Sequence, residues 1–200
     1  MKKNILITGV AGFIGSKVAE RFKKENFNVI GVDDLSGGNL NNVPRGIKFI
    51  KTDLSNKKTI SLLPKKCYQI LHLAGQSSGE ISFDDPISDL NKNTLSTLNL
   101  INYGIKKKVK LFLYASSMSV YGKLSKKKAT EKDDCNPLSC YGVSKLTSEK
   151  YLKIFSKKLP FIGLRMFNVY GPGQDMKNLR QGMVSIYLAQ AIKNKKIIIK

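Results

Sequence analysis

Apolar residues fall into short unbroken runs separated by longer segments of mixed polarity. The runs at 4–8, 28–32, 47–51, 69–73, 110–115 and 161–165 have the length and composition of strands, and a further run opens at 197–200. Between them, stretches near 12–25, 56–63, 86–104, 140–158 and 181–192 carry apolar residues at helical spacing. A strand that is apolar throughout, rather than at alternate positions, is buried on both faces. Such strands alternating with helices predict a doubly wound parallel sheet, an α/β fold of Rossmann-like type. The polar segments 34–46 and 122–138 read as the long loops.

Two hundred residues suit one domain, and 42% hydrophobic content is enough for a sizeable core. No apolar run approaches the length of a membrane span. Cys67, Cys135 and Cys140 are odd in number and lack metal spacing, which fits a reducing cytoplasm and no metal. The formal net charge of +21 attracts anionic substrates. Arginine, on which base readout leans, is scarce, and the lysines are spread along the whole chain in short runs. Compositional bias therefore accounts for the charge better than a nucleic-acid site does. Neither nucleic acid nor a membrane is expected as a partner, although the charge keeps an RNA-binding derivative of the fold open as a rival.

The run Ile5-Leu6-Ile7 leads into Thr8-Gly-Val-Ala-Gly-Phe-Ile-Gly15, with Gly9, Gly12 and Gly15 three apart, and then into a helix. A strand, a glycine turn and a helix N-terminus direct backbone N–H groups at one spot, as a pyrophosphate requires. Strand 28–32 ends at Asp33 and Asp34, 18 residues after Gly15 for the first of them. A carboxylate there binds ribose hydroxyls and repels a 2′-phosphate, favouring NAD over NADP. Asp53, after strand 47–51, reads equally as an adenine contact or as a turn cap.

Tyr141 and Lys145 stand at i and i+4 and share a helix face. A neighbouring ammonium is expected to lower the phenol pKa and make Tyr141 a general base. Ser117 closes strand 110–115 on the ligand side of the sheet, placed to bond a substrate oxygen or to close a turn. Asn168, after strand 161–165, is a further substrate candidate. The lone histidine, His72, at the end of strand 69–73, reads as a satisfied strand-end residue, and Cys140 as packing.

Taken in order, these motifs resemble the extended short-chain dehydrogenase/reductase family, and within it the NAD-dependent nucleotide-sugar epimerases and dehydratases of UDP-glucose 4-epimerase type. The resemblance runs from the glycine turn through Leu73-Ala74-Gly75, Asn93, Ser116-Ser117, Tyr141…Lys145 and Arg165…Asn168 to Gly171-Pro172. It implies NAD contacts from Gly9, Gly12, Phe13, Ile14, Gly15, Asp33, Asp34, Asp53, Leu54, Leu73, Ala74, Gly75, Asn93, Tyr141, Lys145 and Phe167, with Asn91 a neighbouring register for Asn93. It implies catalysis by Ser117, Tyr141 and Lys145, and substrate contacts from Ser117 and Asn168. The implied reaction is C4 epimerisation of a UDP-sugar by transient hydride transfer through a 4-keto intermediate. Family dehydratases carry Asp-Glu after the Ser or Thr, where this chain has Met118-Ser119, so dehydration is disfavoured. A reductase, a decarboxylase or a truncated, non-catalytic NAD-binding protein are the rivals.

The resemblance also implies a cytoplasmic homodimer built on the helices at 86–104 and 140–158, serving surface polysaccharide synthesis. Residues 1–200 read as the NAD-binding domain, with the substrate region starting at about 167 and its C-terminal part largely missing. A sequence that stops within a strand suggests a fragment, whose activity alone would be incomplete.

Overall fold

The structure is a computed structural model that describes residues 2–124, 128–194 and 197. Among the described residues six strands, β1 (Asn4–Thr8), β2 (Asn28–Asp33), β3 (Lys48–Lys51), β4 (Gln69–His72), β5 (Leu111–Ser117) and β6 (Phe161–Met166), form one parallel sheet. Their order is β3-β2-β1-β4-β5-β6. Among the described residues the α-helices are α1 (Phe13–Lys24), α2 (Pro86–Leu90), α3 (Ser96–Lys106), α4 (Cys140–Phe155) and α5 (Met183–Asn194). This is the doubly wound, Rossmann-like sheet that the apolar runs predict.

The pleat explains why the runs are continuous. Leu6, Ile30, Ile70 and Phe112 point to one face, where they meet Leu100 and Ile101 of α3 and Leu152 of α4. Ile5, Ile7, Val29 and Leu71 point to the other, against Ala19 of α1. The strand order reverses between β1 and β4, so a crevice opens at their carboxyl ends, where such sheets bind ligands.

Four elements differ from expectation. The helix expected over 56–63 is a 3₁₀ segment, Lys57–Leu62. There the Thr59 hydroxyl bonds the carbonyls of Asp53 (2.6 Å) and Asn56 (2.8 Å), competing with an α-helical ladder. The helix expected over 86–104 is interrupted by a π turn, Asn91–Leu95, between α2 and α3. The helix expected to reach residue 158 ends at Phe155, five residues before Pro160. Strand β6 is not buried on both faces: Ile162 and Leu164 are 48% and 42% exposed. Among the described residues it forms the outer edge of the sheet. The last expected strand falls largely on residues 198–200, outside the described residues.

Candidate active site

Close packing dictates the three glycines. Gly9 has φ +70°, and a Cβ there would sit 2.7 Å from the Ala74 nitrogen. At Gly15 a Cβ would fall 1.9 Å from the Gly9 carbonyl oxygen, and at Gly12 it would fall 3.2 Å away. Gly12 is also the N-cap of α1, without a capping side chain and with no acid in the first turn. The positive end of α1, with Phe13 and Ile14 in its first turn, is thus left to an anion.

Beside it, Asp33 is 8% exposed and accepts N–H bonds from Ala11 (2.9 Å) and Leu35 (2.8 Å). Two acceptor positions remain on the carboxylate for a diol. Asp34 accepts from the Ser36 backbone N–H and hydroxyl, and Lys92 donates to the same hydroxyl at 2.7 Å. Asp53 is exposed and caps its own turn by accepting from the Ser55 N–H at 2.8 Å. The Leu54 side chain joins the core beneath the sheet.

The second group of residues meets at the ends of β4 and β5. Tyr141 and Lys145 are 8% and 4% exposed, on the inner face of α4. The Lys145 ammonium donates to the Ala115 carbonyl at 3.0 Å and lies 5.6 Å from the Tyr141 ring centroid. Ser117, at the end of β5, closes a turn by accepting the Ser119 N–H (3.2 Å), and its hydroxyl neighbours the Tyr141 phenol. A Cβ on Gly75 would lie 2.3 Å from Asn93 Oδ1 and 3.4 Å from Lys145 Nζ, so these two polar atoms converge on the space that Gly75 leaves open. Asn93, not Asn91, is the asparagine at the site. It is fully buried, and its Oδ1 has no hydrogen-bond partner among the described residues.

Burial sets the charges. Desolvation pushes the Tyr141 phenol above its ordinary range, with the Ser117 hydroxyl pulling it partly back. The expected lowering by the ammonium is therefore overruled. Desolvation also pushes Lys145 down to about 8, and the Asp89 carboxylate works against that shift.

A buried polar network holds this group, and most of it escaped the sequence reading. Asp89 is fully buried and accepts from Asn93 Nδ2 (2.9 Å) and the Ser144 hydroxyl (2.7 Å). Those bonds fix the Asn93 amide so that its oxygen faces the site. Thr8 accepts the Leu73 and Ala74 N–H groups (3.2 and 3.1 Å), so its own hydroxyl donates to His72 Nδ1 (2.7 Å). The His72 Nε2–H then donates to Thr97 (3.1 Å), whose hydroxyl donates to the Asn93 carbonyl (2.6 Å). The Ser148 hydroxyl reaches the same carbonyl at 3.2 Å. Asn93 lies within the π turn, where the backbone departs from the regular helical ladder. His72 is thus a satisfied core histidine, with burial holding its pKa at about 3. The inward spacing of Tyr141, Ser144, Lys145 and Ser148 was the available signal for half of this network.

The substrate candidates beyond β6 are not drawn in. Phe167 is 56% exposed and Asn168 is exposed. Arg165 is tied to Glu149 by a two-pronged pair, with its closest contact at 2.7 Å. An open cavity of about 840 Å³ runs along β6, lined by Tyr121, Glu149, Arg165 and Phe167 but by none of Ser117, Tyr141 and Lys145.

Comparison with known proteins bears on this arrangement. A putative UDP-glucose 4-epimerase of Methanocaldococcus jannaschii is 34% identical over 199 residues, covering 98% of this chain and 65% of the relative. The crystal structure of UDP-glucose 4-epimerase from Thermotoga maritima with UDP-glucose matches with a TM-score of 0.88 and 35% identity, covering 95% of this chain and 63% of that one. The Thermus thermophilus UDP-glucose 4-epimerase in complex with NAD matches with a TM-score of 0.84 and 32% identity, covering 94% and 61%. This chain therefore spans somewhat less than two thirds of the length of these relatives. Its residues 5–200 match the family profile throughout, and the chain belongs to the NAD dependent epimerase/dehydratase family.

Proposed function

We propose that the chain is the coenzyme-binding and catalytic part of an NAD-dependent epimerase acting at C4 of a UDP-sugar. The observation that carries this reading is the convergence of Lys145 Nζ and the Asn93 Oδ1, unpaired among the described residues, on the opening at Gly75 at the switch point of the sheet, with Tyr141 buried beside Lys145 on α4. The residues fit a dinucleotide: the glycine turn clears space that any Cβ would fill, α1 is uncapped, and Asp33 keeps acceptors free. Gly9, Gly12, Phe13, Ile14 and Gly15 would hold the pyrophosphate, Asp33 and Asp34 the adenosine ribose, and Asn93 and Lys145 the second ribose. Leu73, Ala74 and Gly75 would line the crevice. Asp53 and Phe167 are weaker candidates because each is exposed.

NAD, when bound, supplies the two-electron acceptor for the sugar C4 and returns the electrons afterwards. Tyr141 takes the proton from the C4 hydroxyl and gives it back to the 4-keto sugar once the ketone has turned over. Ser117 orients the reacting oxygen. The Lys145 ammonium stabilises the phenolate as it forms, and burial makes that charge effective. Asn168 would contact the substrate. The exposed apolar residues Ile87 and Leu90 of α2 and Val143 of α4 support a homodimer through those helices. We place the enzyme in the cytoplasm, supplying sugars for surface polysaccharide. Among the described residues no helix is long and apolar enough to cross a membrane.

The test is to incubate the chain with NAD and UDP-glucose, UDP-N-acetylglucosamine or UDP-glucuronate and to follow the anomeric protons by NMR. A second set of C4-epimer signals is expected. Tyr141→Phe should lower that rate by about 10²–10⁴-fold while NAD still binds. Unchanged turnover in the variant would overturn the assignment of Tyr141.

A further inference from the structure

In a parallel sheet every strand is entered from the same side, so the segments that precede the strands are gathered along one edge. Here those segments are lysine-rich: Lys2-Lys3 lead into β1, Lys65-Lys66 into β4, Lys106–Lys108 and Lys110 into β5, and Lys157-Lys158 into β6. All of these except Lys107 are exposed. Backbone bonds lock the entrances side by side: Tyr68 N–H to Asn4 O (2.8 Å), Lys110 N–H to Tyr68 O and Phe112 N–H to Pro160 O (both 2.9 Å). At the spacing of neighbouring strands the four clusters occupy a row of roughly 15 Å.

Lysine-rich composition alone does not make this row, because the acids are not distributed in the same way. Of the 14 Asp and Glu residues, Glu25 alone lies in a described segment leading into a strand, and Arg21 pairs with it at 2.7 Å. The others lie on helices, in loops or at the carboxyl ends of strands, many around the active-site edge. Helix-dipole complementarity accounts for Lys106, in the last turn of α3. It does not account for Lys2-Lys3 or Lys65-Lys66, which no α-helix precedes directly.

We propose that this edge docks the protein on an anionic phospholipid surface, with the active site facing away into water. Ammonium groups on flexible stems suit a plane of diffuse negative charge, whereas planar recognition of bases draws on arginine. Two strongly exposed aliphatic side chains lie in the same segments: Leu62, 55% exposed, three residues before Lys65, and Ile154, 71% exposed, three residues before Lys157. Aliphatic residues among lysines fit a headgroup boundary. Single-stranded RNA calls instead for open aromatic rings, and the Tyr68 ring here is already covered by the Lys3 ammonium, 4.4 Å from its centroid.

The experiment is co-sedimentation of the 200-residue chain with vesicles of phosphatidylcholine and phosphatidylglycerol in equal parts, and with phosphatidylcholine alone, at low and high salt. The chain should bind only the anionic vesicles and should leave them as salt rises. Changing Lys65, Lys66, Lys106 and Lys110 to Gln should lower the partition coefficient by about a hundredfold or more, at about fivefold per lysine. The same change at Lys51, Lys57, Lys123 and Lys132, exposed near the opposite edge, should lower it by less than about threefold. Equal losses in the two quadruple variants would reduce the effect to net charge and overturn the proposal. So would equal binding of the unchanged chain to both kinds of vesicle, an outcome that needs no variant to fold. Displacement from the vesicles by an RNA oligonucleotide at equal phosphate concentration would reassign the edge to nucleic acid.

Discussion

β1 and β6 lie in one sheet and are similarly apolar, but their surroundings differ. Ile5, Leu6 and Ile7 of β1 have no exposed surface, whereas Ile162 and Leu164 of β6 stand 48% and 42% exposed. Strand β1 is flanked by β2 and β4 and covered by helices on both faces, all supplied by this chain. Among the described residues, strand β6 has one pairing neighbour, β5. Among the described residues, the β1 side of the sheet is therefore closed by its own contacts, and the flank carrying Phe167 and Asn168 is exposed. Sequence apolarity marks a strand that needs cover, not one that has found it.

The sharpest way to break this contrast is a pair of glycine substitutions. Gly15→Ala places a methyl 1.9 Å from a backbone oxygen, and Gly163→Ala in β6 meets its nearest atom at 3.8 Å. The first should weaken NAD binding by about a hundredfold or more, as a distortion of ~3 kcal/mol would, and the second should leave it unchanged. Calorimetric titration decides between them. Core truncation comes next. Leu6→Ala should destabilise by about 2–5 kcal/mol and Leu164→Ala by no more than about 0.5 kcal/mol, read from urea midpoints. Similar losses would mean that β6 is as well packed as β1.

Glu149 ties the two regions together, because its carboxylate accepts the Ser116 hydroxyl of β5 and the Arg165 guanidinium of β6. Glu149→Gln should cost about 1–3 kcal/mol by leaving a part-buried cation without its counter-charge. The gentlest probe is pH. Lys145 titrates near 8 in the folded chain and near 10.5 when unfolded, so the unfolded state holds the extra proton between those values. Stability from this group is lowest below pH 8 and recovers as pH rises to 10.5, at no more than about 1.4 kcal/mol per unit. Lys145→Met should flatten that rise in melting experiments.

Much of this was legible in the sequence. Strands buried on both faces appear as unbroken apolar runs, the three-residue glycine spacing marks the turn, and Tyr141 and Lys145 share a face by simple helical count. The π turn was not legible, because apolar spacing across 86–104 reads the same through it. Asp89, Ser144 and Ser148 were missed because polar residues within a helix read as solvent-facing until the helix is known to lie over a site. The Tyr141 shift was misjudged because proximity to a charge is visible in sequence and depth of burial is not. The lysines looked evenly scattered because only the topology brings distant segments to one edge.

The π turn at Asn91–Leu95 also bears on how the stretch tolerates changes of length. Deleting one of its residues would heal α2 and α3 into a continuous helix. It would also rotate everything upstream by about 100°, carrying Asp89 away from Asn93 and Ser144. The chain would gain a more regular helix and lose the polar support beneath Asn93 and Lys145. Replacing the exposed Leu95 side chain leaves that geometry alone. Over these few residues, length is constrained more tightly than identity.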